Sequence, residues 1–182
     1  ADNGMAFPGG KTTVYEAGLR VPFIVRHPEA KKRGVVNNAM ISHVDITPSI
    51  LDLAKAYDAE RRAPLKLISV AKVPSGENGG KPAKAYHGRS WVPILEEASP
   101  KGWNEIGASH TFHEIQMYYP MRVVRDRKYK LIWNIAWRQP YPFASDLWRA
   151  STWQAQFAKG AEAPYGKRTV DSYINRPQFC LL

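Results

Sequence analysis

The chain has 182 residues, 44% of them hydrophobic and 23% charged, a balance that excludes wholesale disorder and a coiled coil and leaves room for one substantial domain or one and a half small ones. It contains no uninterrupted apolar run of about 18 residues, and its single cysteine, Cys180, excludes an internal disulfide and a Cys-x-x-Cys metal pair. The net charge of +10 favours anionic partners, but the basic residues are scattered, so we favour a generally basic surface over a nucleic-acid-binding arm.

The first 26 residues combine turn signals with one apolar run. Asp2-Asn3-Gly4 and Pro8-Gly9-Gly10 predict an exposed loop of defined shape, because Gly and Asn accept backbone angles that other residues resist. The run Pro22-Phe23-Ile24-Val25 predicts a buried strand, with Pro22 at the first position, where its missing N–H is least harmful.

The next predicted element is a helix that begins near Asp45. Asp45 is the expected N-cap, and a proline follows in the first turn, where its lost donor has no helical partner. We interpret His43 as a core or helix-entry histidine rather than a ligand. Apolar residues at helical spacing are expected to pack against a core: Ile46, Ile50, Leu51, Leu53 and Ala54.

The second half of the chain is predicted to be mainly β-structure. Residues 72–85 are rich in Gly, Pro, Lys and Ala and are the expected flexible connector, and a short helix is predicted at 90–95. Three strands are then predicted at 109–114, 121–125 and 129–133, with a polar hairpin turn at 125–128. The segment from Ser145 onwards has no clear period, and we interpret the aromatic residues of the C-terminal part as packing rather than as a stacking platform.

Two short motifs near the N-terminus carry candidate chemistry. Asp2 and Asn3 place a carboxylate beside a carboxamide oxygen, which are ligands that Ca²⁺ and Mg²⁺ prefer, although the same triplet with Gly4 is also an ordinary turn. Lys11 follows a Gly-Gly pair and offers a positive charge where the backbone can approach an anion closely, without the spacing of a P-loop. Glu16 and Arg20 are expected to form a structural pair.

The order of these motifs resembles a characteristic part of the sulfatase family. The Asp-Asn-Gly triplet is followed by GGKTTVYEAGLRVP at 9–22, by HVDITPSILDLA at 43–54 and by HGRSW at 87–91. Agreement of three such landmarks in series is improbable by chance, and the resemblance extends over residues 1 to about 134. The segment HEIQMYYPMR at 113–122 is similar to the heparan N-sulfatase (N-sulfoglucosamine sulfohydrolase) branch of the family.

The resemblance implies an α/β fold of the alkaline-phosphatase-like type. Residues 1–100 would form the C-terminal part of its catalytic domain, and residues 101–182 a smaller antiparallel-sheet subdomain with a helix. The resemblance further implies a sulfated sugar as the partner, no nucleic acid and no membrane span, and export to the periplasm, the extracellular space or the lysosome.

Roles for individual residues follow from the same resemblance. It implies that Asp2 and Asn3 are two ligands of a divalent cation, typically calcium, and that Lys11 contacts the sulfate oxygens. It also implies that His113 and Glu114 line the sugar pocket. A structural role for these last two residues is an equally good interpretation, because alternation along a strand sends one of them inwards and the other towards solvent.

One part of the family's chemistry has no counterpart in the chain. Sulfatases act through a formylglycine made from a Cys/Ser-x-Pro-x-Arg motif, and this sequence has no such motif. We therefore expect the chain to be the C-terminal portion of a sulfatase, to show no sulfatase turnover by itself, and to bind calcium weakly through two ligands. The identity of the sugar and the choice between O-sulfate and N-sulfate stay open.

Two other functions fit the sequence. The net charge of +10 also suits a non-catalytic module that binds heparin or nucleic acid, which salt-sensitive retention without hydrolysis would favour. A phosphate-ester hydrolase of the same superfamily would share the metal loop and differ mainly in its nucleophile.

Overall fold

A four-stranded antiparallel sheet is the largest regular element of the structure, a computed structural model that describes residues 3–60, 63–64, 86–113 and 117–182. The α-helices in this part of the chain are α1 (Glu16–Leu19), α2 (Ile46–Leu53), α3 (Ser145–Trp148), α4 (Ser151–Phe157) and α5 (Val170–Ile174). The strands are β1 (Tyr57–Asp58), β2 (Ala63–Pro64), β3 (Ile106–Phe112), β4 (Tyr118–Arg125), β5 (Lys130–Asn134), β6 (Pro164–Tyr165), β7 (Arg168–Thr169) and β8 (Phe179–Leu181). Two 3₁₀-helices span His43–Asp45 and Val92–Ile94. None of the described helices is long and apolar enough to cross a membrane.

Contacts divide the chain into two units. The sheet unit combines the described residues up to Arg26 with Glu105–Leu182, and the helix unit is His27–Asn104. The expected division into 1–100 and 101–182 follows from the family resemblance and stays a prediction. In the division by contacts, the described residues up to Arg26 belong with the C-terminal sheet. The physical reason is that Val14 is buried in the core that the sheet covers.

The main sheet has the strand order β3-β4-β5-β8, and each neighbouring pair is antiparallel. Alternation along β4 buries Tyr119, Met121 and Val123 on one face, as expected for a sheet that covers a core on one side. The predicted polar turn joins β4 to β5, where Asp126 Oδ1 accepts the backbone N–H of Lys128 at 2.7 Å. The alternation along β4 and the polar turn at Asp126 are the local signals from which the β4–β5 hairpin was predicted.

The three strands predicted from the sequence correspond to β3, β4 and β5. β3 begins earlier than predicted and ends at Phe112, before a bend at His113, and the predicted limit at residue 114 lies outside the described residues. The pairing with β4 shifts register between His110 and Phe112, and such an irregularity ends the regular ladder. The interpretation of the C-terminal aromatic residues as packing is confirmed for Tyr141 and Trp153, which are buried.

The helix predicted after Asp45 is present as α2, but Asp45 does not cap it with its side chain. Asp45 is buried, its Oδ2 accepts the N–H of Ser42 at 2.8 Å, and its Oδ1 accepts the N–H of Arg89 at 2.9 Å. The carboxylate thus joins the entry of the helix to a segment 44 positions later. His43 is exposed at the first position of the 3₁₀-helix, which agrees with a helix-entry histidine and not with a core one.

The predicted apolar stripe of α2 does not face a core. Ile50 and Leu53 are exposed, and the buried residues of the helix are Pro48 and Ser49. The buried side of α2 instead carries a hydrogen bond, from the backbone N–H of Trp91 to Ser49 Oγ at 3.0 Å. The prediction of a helix was therefore correct, but the prediction of which side of that helix is buried was wrong.

Residues 22–25, predicted as a buried strand, form no strand in the structure. Phe23, Ile24 and Val25 are exposed, Ile24 by 91%. An apolar run becomes a strand only where a neighbouring strand satisfies its N–H and C=O groups, and none of the described strands pairs with it. The predicted connector at 72–85 lies outside the described residues, and the short helix predicted at 90–95 is the 3₁₀-helix Val92–Ile94.

Candidate functional site

The lysine loop, residues 3–19, is folded largely by its own backbone. The N–H of Gly4 donates to the Gly18 carbonyl at 3.2 Å, and the N–H of Lys11 donates to the Met5 carbonyl at 2.8 Å. Only glycine fits at position 4 of this loop, because a Cβ there would lie 1.7 Å from the Ala17 carbonyl oxygen. The turn predicted by the glycine-rich sequence is therefore present, and it ties Lys11 to the start of the loop.

The lysine loop is anchored on the sheet through Val14 and Glu16. The Val14 carbonyl accepts the buried Lys130 ammonium at 3.1 Å. Glu16 Oε1 lies 2.5 Å from the same ammonium and Oε2 lies 3.2 Å from the Arg125 guanidinium, where the sequence had suggested Arg20 as the partner. Burial raises the pKa of the Glu16 carboxyl, but the hydrogen bond from Lys130 and the neighbouring positive charges outweigh it, so the pKa lies below its usual range.

Lys11 extends from the loop to Asp146, the second residue of α3. Its Nζ lies 2.8 Å from Asp146 Oδ2, and the two side chains are 26% and 44% exposed. The hydrogen bond from Lys11 lowers the pKa of the Asp146 carboxyl, which is therefore ionised at neutral pH. An ammonium has three N–H donors, and one of them serves Asp146. Lys11 can thus hold Asp146 and an incoming anion at the same time.

Thr12, the neighbour of Lys11, is held by Tyr141. The Tyr141 hydroxyl donates to the Thr12 carbonyl at 2.6 Å and lies 2.8 Å from Thr12 Oγ1. Burial raises the pKa of the Tyr141 hydroxyl, so the phenol is neutral and keeps its proton. Its ring lies 3.4 Å from the guanidinium carbon of Arg176, which is also buried. The lysine loop is therefore attached to the interior of the sheet unit beside the candidate anion contact.

The structure describes three of the five predicted site residues. Asn3 is exposed and lies on the same loop as Lys11, whereas His113 directly follows β3, a different element of the sheet unit. Asp2 and Glu114 lie outside the described residues, so their predicted roles stay predictions.

A calcium ion needs more ligands than the described residues supply. Ca²⁺ takes six to eight oxygen ligands. Asn3 offers one neutral amide oxygen, and the described part of the chain contains no group of three or more His, Cys, Asp or Glu side chains that could hold a metal. The described residues do not form a calcium site by themselves.

Sequence reasoning missed Tyr141 and Asp146 as partners of the lysine loop. The contacts join positions that are 129 and 135 residues apart, and the segment that contributes them has no clear hydrophobic period. The available signal was the pair Ser145-Asp146, which places an acidic residue in the first turn of a helix. That signal locates a helix start and does not point to Lys11.

The sulfatase family profile matches residues 1–56, which include Asn3 and Lys11. The N-sulphoglucosamine sulphohydrolase of Homo sapiens is 36% identical to the chain over 155 residues, which are 85% of this chain and 28% of that protein. The chain belongs to the sulfatase family. The family and the branch that the sequence motifs indicated are thereby confirmed.

Two further sulfatases are similar over much of the chain. The ulvan-active sulfatase of Formosa agariphila is 29% identical over 136 residues, 74% of this chain and 22% of that protein. The N-acetylglucosamine-6-O-sulfatase of Bacteroides thetaiotaomicron is 27% identical over 129 residues, 67% of this chain and 18% of that protein. The chain thus spans between 18% and 28% of the length of these three curated relatives.

In this member of the sulfatase family, Tyr141 and Asp146 lie outside the segment that the family profile matches.

Proposed function

We propose that this chain is the part of a sulfatase that holds the sulfate group of a sulfated sugar, and that Lys11 contacts the sulfate oxygens. The observation that carries the proposal is the partly exposed Lys11 ammonium, on a backbone-folded loop within the matched sulfatase segment. Negative charge gathers on the sulfuryl oxygens during transfer, and a cation already in place beside them stabilises that charge. Lysine suits the role as a compact charge with three donors.

The relatives support a sulfated sugar as the substrate class. Two of the relatives are named after a sulfated amino sugar. The sulfate is on nitrogen in the name of the human relative and on an oxygen in the name of the Bacteroides thetaiotaomicron relative. The proposal therefore covers hydrolysis of a sulfamate or a sulfate ester. His113 and Glu114 are proposed to line the sugar pocket, where a carboxylate can accept hydrogen bonds from sugar hydroxyls or nitrogen. The alkaline-phosphatase-like fold and export from the cytoplasm belong to the same proposal.

A segment exchange in the human relative tests this function. The matched 155-residue segment of N-sulphoglucosamine sulphohydrolase is replaced by the corresponding part of this chain. Sulfate release from N-sulfoglucosamine is measured beside phosphate release from a chromogenic phosphate ester. We expect the exchanged protein to release sulfate, and Lys11→Ala to lower its kcat/KM by about 100-fold or more, the usual effect of removing one group that stabilises transition-state charge.

Two variants serve as controls for this assay. Lys128→Ala removes an exposed lysine of the same unit, in the turn between β4 and β5, and should leave the rate unchanged. Lys11→Arg keeps a cation at the proposed contact and should retain most of the rate. Release of phosphate in place of sulfate would favour a phosphate-ester hydrolase, and an unchanged rate in Lys11→Ala would remove Lys11 from the site.

The proposal also assigns Asp2 and Asn3 as two ligands of a divalent cation, with calcium as the expected ion. Two oxygen donors are at most about a third of the ligands that calcium takes. We therefore expect calorimetric titration of the 182-residue chain with calcium chloride to give an affinity weaker than micromolar. Asn3→Ala should weaken the remaining binding further. A micromolar affinity would contradict this prediction.

A further inference from the structure

Tyr141 fixes the backbone beside Lys11. Its hydroxyl has one hydrogen, which it donates to the Thr12 carbonyl, so the Thr12 hydroxyl donates in turn to the tyrosine oxygen. Thr12 has a φ of +64°, a conformation that a β-branched residue keeps only where its surroundings hold it. The phenol ring is itself immobilised, because it packs edge-on against Tyr119 and Phe143, each with its ring centre 5.2 Å away.

Asp146 fixes the other end of the Lys11 side chain. It lies between Ala144 and Leu147, which are fully buried, so its backbone is held by packing although its carboxylate faces solvent. The N–H of Leu147 donates to Asp146 Oδ1 at 2.9 Å, which leaves Oδ2 for Lys11 at 2.8 Å. The carboxylate therefore has one defined orientation towards the ammonium.

We propose that Tyr141 and Asp146 are positioning residues that hold Lys11 in place for an anion, Tyr141 through Thr12 and Asp146 through the Lys11 ammonium. This inference rests on the proposed function, in which the anion is a sulfate group, and it names residues outside the matched family segment. A lysine side chain normally loses rotamer freedom when it binds a ligand. Because Lys11 is held at its backbone and at its ammonium, most of the rotamer freedom is lost before an anion binds. The anion then meets a cation that is already in place.

Asp146 has two opposing effects on an anion at Lys11. It orders the ammonium, which favours binding, and its own negative charge repels the anion, which disfavours binding. The carboxylate is 44% exposed, so solvent and salt screen its repulsion of an anion bound on the other side of the ammonium. The Lys11–Asp146 contact is screened less than this repulsion, because it is a direct hydrogen bond at 2.8 Å. Removal of Asp146 should therefore weaken anion binding, although electrostatics alone would strengthen it.

Hydrogen exchange and NMR of the 182-residue chain test the two residues without an enzymatic assay. Tyr141→Phe removes the hydroxyl and keeps the ring, and we expect the amides of Lys11 and Thr13 to exchange roughly tenfold faster, as for the loss of one or two hydrogen bonds. Asp146→Ala should lower the order of the Lys11 ammonium, measured by ¹⁵N relaxation. It should also weaken the binding of inorganic sulfate, followed at Lys11 at constant ionic strength, by roughly two- to fivefold, the range for a partly exposed ion pair.

Matched controls are available in the same unit. Tyr165→Phe removes the hydroxyl of a tyrosine that packs against Trp153 and Tyr173. Asp171→Ala removes one carboxylate, so it changes the net charge by the same amount as Asp146→Ala. The Asp171 carboxylate accepts a hydrogen bond from Asn175 and does not contact Lys11. Both controls should match the wild type in amide exchange and in Lys11 order.

Each outcome decides the proposal. Unchanged exchange in Tyr141→Phe, unchanged ammonium order in Asp146→Ala, or tighter sulfate binding in Asp146→Ala would overturn it. If exchange and order change as expected but sulfate leaves the wild-type Lys11 signal unmoved, the positioning of Lys11 is supported and its sulfate contact is refuted. The failure of this inference and the failure of the proposed function are therefore distinguishable.

Discussion

Each unit of the chain buries at least one charged side chain, and Asp45 in the helix unit is stabilised differently from Arg176 in the sheet unit. In the helix unit, the carboxylate of Asp45, a residue 7% exposed, accepts the backbone N–H groups of Ser42 and Arg89. In the sheet unit, Arg176, 2% exposed, stacks on the Tyr141 ring at 3.4 Å and donates to a backbone carbonyl at 3.2 Å. The anion is held mainly by directional hydrogen bonds, and the cation mainly by aromatic surface.

The difference determines what each side chain can be replaced by. Hydrogen bonds to a charged acceptor are strong and directional, so removal of Asp45 leaves two N–H groups without their acceptor. Much of the Arg176 contribution comes from packing and from the attraction between a cation and an aromatic face. An apolar side chain of similar length can supply the packing part of that contribution.

The largest effect is expected for Asp45→Ala. Loss of two hydrogen bonds to a buried carboxylate should lower the free energy of unfolding of the helix unit by about 3–5 kcal/mol. Native-state hydrogen exchange of the α2 amides measures this change. Glu29→Ala, which removes an exposed carboxylate of the same unit, should change the free energy by less than about 0.5 kcal/mol. Equal effects of the two variants would show that Asp45 does not connect α2 to Arg89.

Arg176→Ala should have the next largest effect, on the sheet unit. Loss of the buried side chain and of its contact with Tyr141 should lower the free energy of unfolding by about 2–4 kcal/mol, measured by urea unfolding. Arg176→Met should lower it less, because methionine restores part of the packing. Arg138→Ala removes an exposed guanidinium that lies 5.0 Å from the Trp137 ring and is the surface control. If methionine is as destabilising as alanine, the charge of Arg176 matters more than its packing.

Local patterns were sufficient for some of the fold. β4 and β5 were predictable because apolar alternation and a polar turn around Asp126 act within a few residues of each other. α2 was predictable from Asp45 and Pro48 for the same reason. The role of the Asp45 carboxylate was not predictable, because its second partner, Arg89, lies 44 positions away.

The candidate site shows the same division between local and distant information. The glycine-rich loop around Lys11 closes through its own backbone, so its sequence was enough to predict a shaped loop. The contacts of Lys11 and Thr12 with Asp146 and Tyr141 depend on how a distant segment packs, and no spacing rule links such positions. Residues 22–25 failed as a predicted strand on similar grounds, because pairing depends on a neighbouring strand that an apolar run does not specify.

Lys130 is an intermediate case between Asp45 and Arg176, and it yields the smallest predicted effect. Its buried ammonium has both a carboxylate partner, Glu16, and a backbone carbonyl partner, that of Val14. The pKa of Glu16 is lower in the folded chain than in the unfolded chain, since the hydrogen bond from Lys130 and the nearby positive charges outweigh the effect of burial. The stabilisation from this carboxylate is therefore complete above its unfolded pKa, about 4.3, and is lost as the pH falls through the lower folded value.

Urea unfolding of the wild type and of Glu16→Gln across pH 2–7 tests this dependence. We expect the wild type to be more stable near neutral pH, with the difference in unfolding free energy shrinking below about pH 4.3 as Glu16 is protonated. Glu162→Gln, an exposed glutamate of the same unit, should keep the pH dependence of the wild type. A difference that stays constant through this range would mean that the Glu16 contribution does not depend on its charge. Lys130 would then resemble Arg176, held by its surroundings, rather than a buried charge that needs an ionised partner.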